Sequence, residues 1–132
     1  MSIDVVSPKK FCKLQRLLNA GDFQNVFSGP PFRSSHQHCL ILAKPNKLSY
    51  ARLGLIIAKK HIRLAVQRNR IKRLIRESFR QQQRNLVGID AIVLARKGLG
   101  DLDNPTIIKI MNQQWLKIQK KAHSQNHKPK AE

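Results

Sequence analysis

Acidic residues are scarce in this chain: 7 Asp plus Glu stand against 26 Lys plus Arg, a formal net charge of +19 over 132 residues. Solubility needs far less than that, so the imbalance implies a polyanionic partner. Cysteine is scarce as well. Cys12 and Cys39 form no CxxC pair and are too few for a disulfide framework, which fits a reducing compartment. No apolar run approaches the roughly 18 residues of a spanning helix. The N-terminus, where Lys9 and Lys10 run into Phe11, Cys12 and Lys13, lacks the layout of a signal peptide. These absences set membrane aside, favour nucleic acid, and predict a soluble, cytoplasmic protein. The length suits one core and not two.

Catalytic constellations are also missing. There is no Ser/His/Asp set. Asp101 and Asp103 are better explained as helix-capping residues than as a carboxylate pair for metal-assisted hydrolysis. His36, His38 and Cys39 sit close in sequence, but a strand would turn Cys39 away from the two histidines, and no second ligand cluster exists to complete a zinc site. The residues therefore supply no means of breaking a phosphodiester bond alone, and no metal or other cofactor is expected on the protein's own side chains.

What is present is concentrated between Leu64 and Arg84, LAVQRNRIKRLIRESFRQQQR. Wound at about 100° per residue, this stretch gathers Leu64, Ile71, Leu74, Ile75, Ser78 and Phe79 into one stripe and sets Asn69, Lys72, Arg73, Arg76 and Arg80 roughly opposite. Arg68 and Arg70 fall at the edges of the stripe, where their stems can lie along the core and their heads flank the basic face. Glu77 alone offsets the charge locally, too little for i,i+4 pairing to neutralise it. Lys59, Lys60, His61 and Arg63 lead straight into this helix and enlarge the patch.

The rest of the chain reads as a frame for that helix. Residues 1–13 form a basic arm with little periodicity, residues 14–121 one domain, and residues 122–132 a basic tail without apolar period, expected to be disordered. Asn19 with Asp22 three residues later caps a short helix that runs to Phe27 and stops at Ser28-Gly29-Pro30-Pro31. Its Phe23, Val26 and Phe27 share a face, either packed in a core or, for Phe23 or Phe27, bordering a groove where single-stranded bases stack. His38–Lys44 is expected to be a strand, with Leu40 and Leu42 on one side and Cys39 and Ile41 on the other. Ala51–Ala58 is a second strand, joined to the first as an antiparallel hairpin, with Gly54 marking a bulge or a close approach. Asp90–Ala95, apolar on both faces, is a central third strand. Asp103 or Asn104 caps a last helix, Thr106 to about Lys121, whose seam is Ile108, Met111, Trp115 and Ile118.

The order helix, strand, strand, basic helix, strand, helix, with VQRNRIKRLIRESFR over Val66–Arg80, resembles the protein subunit of bacterial ribonuclease P. AKKHIRLA before the motif, LARKGLGDLDN after the third strand and the N-terminal DFQNVF extend the resemblance over most of residues 14–120. It implies an α/β (α+β) two-layer sandwich with a mixed sheet, of the kind shared with a ribosomal protein domain. It also implies a left-handed βαβ crossover at the basic helix, against the general right-handed rule. The implied function is assistance to a catalytic RNA in removing the 5′ leader from precursor tRNA, with Mg²⁺ held by the RNA and no obligate protein partner. Carried over by position, Arg68, Asn69, Arg70, Lys72, Arg73 and Arg76 would contact RNA, joined by Lys59 and Lys60 of the adjoining basic loop, while Phe23, Phe27, Leu40 and Leu42 would line a leader-binding cleft. Rival readings are a ribosomal or RNA-chaperone module on the same fold, a DNA-binding regulator with its basic helix in a major groove, and a self-sufficient nuclease.

Overall fold

The computed structural model describes residues 19–29 and 32–127. The expected arm over residues 1–13 lies outside the described residues. Within them the order is α1 (Ala20–Phe27), β1 (Phe32–His36), β2 (Cys39–Pro45), β3 (Arg52–Ile56), α2 (Ala65–Gln82), β4 (Ile89–Ala95) and α3 (Asn104–His127), with 3-10 turns at Gln83–Leu86 and Leu99–Asp101. The strands make one mixed sheet in the order β1-β2-β4-β3. β2 runs antiparallel to both β1 and β4, and β3 runs parallel to β4. The fold class is the expected α+β one, with α2 as the crossover between the parallel strands.

One strand is added to the expected sheet and one pairing is corrected. β1, the polar stretch FRSSH, is assigned no element from the sequence, yet it pairs with β2 through the two-residue turn Gln37–His38. It is amphipathic: Phe32 and Ser34 are buried while Arg33 and Ser35 are exposed, and the Ser34 hydroxyl donates to the Gln114 side chain on α3. The strands Cys39–Pro45 and Arg52–Ile56 are not hairpin neighbours, because β4 lies between them. β4 is apolar on both faces and so takes a neighbour on each side, while residues 46–51 pass its N-terminal end, where the Asn46 amide bonds the Gly88 carbonyl at 2.7 Å. Gly54 makes no bulge; the register runs evenly from Leu53–Ala91 through Gly54–Ile92 to Leu55–Val93.

Strand alternation divides the interior in two. One face sends Cys39, Ile41, Ala43, Ala91, Val93 and Leu53 against α2 and α3, forming the main core with Ile71, Ile75, Phe79, Met111 and Trp115. Phe79 and Trp115 meet edge to face with centroids 5.5 Å apart. Ser78, a polar residue in the apolar stripe of α2, accepts the Trp115 indole N–H at 3.0 Å and donates to the Ile75 carbonyl at 2.9 Å, so its burial leaves no orphaned group. On α3 the buried seam is Ile107, Ile110, Met111, Trp115 and Ile118; the expected Ile108 is only half-buried, one step off that face. The helix begins at Asn104, two residues before the expected Thr106, and the expected cap is present, with Asp103 accepting from the Thr106 amide at 3.0 Å. It runs past the expected end at Lys121 to His127, since no glycine or proline interrupts it before Pro129.

The other face carries Leu40, Leu42, Ile92, Leu94 and Ile56. Among the described residues only α1 lies across it. The predicted cap is present in full: Asn19 accepts from the Asp22 amide at 2.9 Å and Asp22 accepts from the Asn19 amide at 3.0 Å. Asp22 also receives the Arg52 guanidinium at 3.3 Å, and Lys44 reaches the Asn25 carbonyl at 3.2 Å, so both ends of α1 are fastened to the sheet.

Candidate nucleic-acid interface

α2 opens with no acidic residue in its first turn and no side-chain cap. What holds it is its apolar stripe, of which Ile71, Leu74, Ile75, Ser78 and Phe79 are buried as expected. Leu64 is the exception at 62% exposure. It precedes the first helical residue, so the helical period does not carry it into the core.

Opposite that stripe, Asn69 and Arg73 are exposed and Lys72 and Arg76 half-exposed. None of these four side chains has a hydrogen-bond or salt-bridge partner among the described residues. Glu77, the acid on this helix, is held by Arg80 at 2.5 Å. Like charges are thus presented together, with nothing among the described residues to neutralise them.

Arg68 and Arg70 are placed differently from the expectation that their heads flank this face. Arg68 folds back to donate to the carbonyls of Ile62 at 3.1 Å and Arg63 at 2.8 Å, closing the loop that precedes the helix. Arg70 donates to the Gly100 carbonyl at 2.9 Å, the Leu102 carbonyl at 3.1 Å, the Asn104 side chain at 2.5 Å and Gln67 at 2.8 Å. Arg70 therefore ties the loop after β4, and the start of α3, to α2. A planar five-donor fork suits that task in a way an ammonium does not. Lys59 and Lys60 stand exposed in the turn before α2.

On the α1 side of the sheet the described residues leave a groove, because α1 is shorter than the face it crosses. Eight helical residues extend only about 12 Å. They cover the end of the sheet where Lys44, Asp90 and Arg52 are aligned across neighbouring strands. There Arg52 clasps the buried Asp90 carboxylate at 2.7 and 2.8 Å, and Asn46 donates to it at 2.8 Å. Toward the other end Leu40, Leu94 and Ile56 remain half-buried and form an apolar floor. Phe23 is half-buried at the margin of this cluster. Phe27, 43% exposed, stacks on it with centroids 6.5 Å apart and an interplanar angle of 23°. Leu42 lies beneath α1 with Val26 and Ile92, buried and not lining the groove. Ile56 and Leu94 belong to the floor although the sequence reading did not name them. Alternation along each strand puts them on the same face as Gly54 and Ile92, two residues back, but their place beside Leu40 follows from the strand order.

Chemistry on the protein's own groups has little to work with. Among the described residues no three His, Cys, Asp or Glu side chains gather to hold a metal ion. Burial pushes the Cys39 thiol up to about 11, the wrong direction for a ligand or nucleophile. Asp103, fully exposed, is held below the usual carboxylate range by the Thr106 side-chain and backbone donors, as a cap should be. No helix among the described residues is long and apolar enough to cross a membrane.

Known proteins share this arrangement. The family model described as Ribonuclease P matches residues 11–119. The Ribonuclease P protein component of Chromohalobacter salexigens is 45% identical over 121 residues, covering 92% of this chain and 94% of that one. That of Marinobacter nauticus is 50% identical over 111 residues, covering 84% and 83%. Among solved structures, the RNase P protein of Staphylococcus aureus superposes with a TM-score of 0.68 at 28% identity, covering 82% of this chain and 94% of that one. The RNase P protein of Thermotoga maritima does so with a TM-score of 0.66 at 28% identity, covering 76% and 96%. Family match, identity over most of both lengths and shared fold agree, and the chain belongs to the ribonuclease P protein family.

Proposed function

We propose that this chain is the protein component of a ribonuclease P ribonucleoprotein, binding the catalytic RNA and the 5′ leader of precursor tRNA and so assisting endonucleolytic removal of the leader. The observation that carries the reading is the outer face of α2: Asn69, Lys72, Arg73 and Arg76 are presented together and, among the described residues, unpaired, in a chain of net charge +19. That face suits the phosphates of a folded RNA, with released counterions supplying much of the affinity. The groove floored by Leu40, Leu94 and Ile56 and edged by Phe23 and Phe27 suits a single strand, which stacks bases on rings and aliphatic surface without demanding a sequence. Between two polyanions the protein's positive field lowers the cost of approach.

The chemical step belongs to the RNA in this reading, and the Mg²⁺ it needs is held there. The protein's described carboxylates do not fit a metal site: Asp22 and Asp90 hold Arg52, Glu77 holds Arg80 and Asp103 caps α3, which leaves Asp101 alone. The experiment is reconstitution. Protein purified free of nucleic acid, transcribed catalytic RNA and precursor tRNA are combined at low Mg²⁺, omitting each in turn. Processing that is fast only with both macromolecules supports the proposal. Cleavage by the protein alone, or no stimulation of the RNA, contradicts it.

A further inference from the structure

A second concentration of positive charge lies at the tip of the β1–β2 hairpin, away from α1. His36 continues the register of Phe32 and Ser34, so it faces the α3 side of the sheet. His38 occupies the adjoining turn, its ring centroid 5.7 Å from that of His36. Arg96, the first residue after β4, donates to the His36 carbonyl at 2.7 Å and the Ser35 hydroxyl at 3.1 Å, and its own amide bonds the His38 carbonyl at 2.9 Å. Its guanidinium is therefore fixed by neutral acceptors, positioned without being cancelled. Lys97 beside it and Lys117 on α3 are exposed, and neither side chain has a hydrogen-bond or salt-bridge partner among the described residues.

The hydrogen bonds also set what the rings offer. The His38 amide donates to His36 Nδ1 at 3.0 Å, so the neutral His36 ring carries its proton on Nε2. His38 Nδ1 lies 3.4 Å from the Lys97 carbonyl. Its ring rests against Gly98, where a Cβ would approach within 3.1 Å and where φ is +93°, so the bare glycine makes room for the imidazole.

We infer that this hairpin tip is a second phosphate-contact surface for structured RNA, engaged through His36, His38, Arg96, Lys97 and Lys117 independently of the α2 face, and that it takes up protons as it closes on phosphate. The inference rests on the RNA-binding function proposed above and adds to it a separate site with its own signature. Burial holds His36 below the ordinary histidine range, and the charges acting on it, from His38 in the turn, Lys117 on α3 and Arg96 after β4, are all cationic. Phosphate at the tip replaces that repulsion with attraction, so the bound protein keeps the His36 proton to higher pH than the free protein does. Affinity must then rise as pH falls through the bound value and level off below the free one.

The test uses the full chain and transcribed ribonuclease P RNA, measuring affinity against salt and against pH. Changing Lys97→Gln with Lys117→Gln, both solvent-facing and so no threat to folding, is expected to flatten the slope of log K against log salt by one to two units, at about 0.9 per lost phosphate contact. The wild-type chain is expected to gain about threefold or more in affinity between pH ~7.5 and ~5.5, a gain that Lys72→Ala with Arg76→Ala preserves. Changing His36→Gln with His38→Gln is expected to abolish most of that gain. A K97Q/K117Q slope equal to wild type, beside a flattened K72A/R76A slope, would overturn the second surface and leave the proposed function standing. A pH gain that survives in H36Q/H38Q would overturn the proton linkage. No affinity of the wild-type chain for the RNA would overturn both readings together.

Discussion

Arg70 and Arg73 lie three positions apart on one helix, carry the same charge, and stand in different environments. Arg70 reaches across 30 residues of sequence to the Gly100 carbonyl and onward to Leu102 and Asn104, whereas Arg73 is exposed and meets no described partner. Removing the first leaves two carbonyls without their charge-assisted donor, so Arg70→Ala is expected to cost about 2–3 kcal/mol of folding stability. Arg73→Ala is expected to change stability by less than about 0.5 kcal/mol and to weaken RNA binding. Urea unfolding of both variants checks the contrast, and equal midpoints would count against a latching role for Arg70. The sequence could not make this distinction. Helical periodicity puts Arg68 and Arg70 at the edge of the stripe, but which carbonyls lie within reach depends on where the chain returns after β4. Asn19 with Asp22 was readable because the capping box is local, closed within three residues.

Among the elements, α1 and the sheet beneath it decide whether a groove exists. The eight-residue length of α1 was legible from its cap and from Gly29 and the prolines that follow, and alternation in β2 placed Leu40 and Leu42 on one face. What was not legible is which strands stand beside β2. A slip in neighbour identity moves the floor of the groove, and with β4 in the centre Leu94 and Ile56 join Leu40 while α1 covers Leu42. β1 escaped notice because its buried polar residue, Ser34, is satisfied by Gln114 from an element 80 residues away. Phe27 offers the cleaner probe of the groove because it is the more exposed ring of the stacked pair. Phe27→Ala is expected to leave the urea midpoint nearly unchanged and to weaken binding of leader-bearing precursor tRNA by about 1–3 kcal/mol, the worth of one base stack. Mature tRNA, which lacks the leader, should be bound as before by this variant. Equal losses for the two ligands would return Phe27 to a structural role.

For the molecule as a whole, the excess of positive charge is distributed, and the fold uses little of it internally. Four of the five described carboxylates hold Arg52, hold Arg80 or cap α3, so most lysines and arginines remain available to a polyanion. This feature was plain from composition, because net charge needs no knowledge of the fold. Its partition into an α2 face, a loop latched by Arg70 and a hairpin tip needed the coordinates. The central claim is that the α2 face meets RNA phosphates, and its most direct measurement is the salt dependence of binding to transcribed ribonuclease P RNA. With about six phosphate contacts, log K should fall against log salt with a slope of roughly −4 to −5. Lys72→Ala with Arg76→Ala should flatten that slope by more than one unit while the urea midpoint stays within experimental scatter of wild type. A slope unchanged by the double substitution would contradict the assignment of this face.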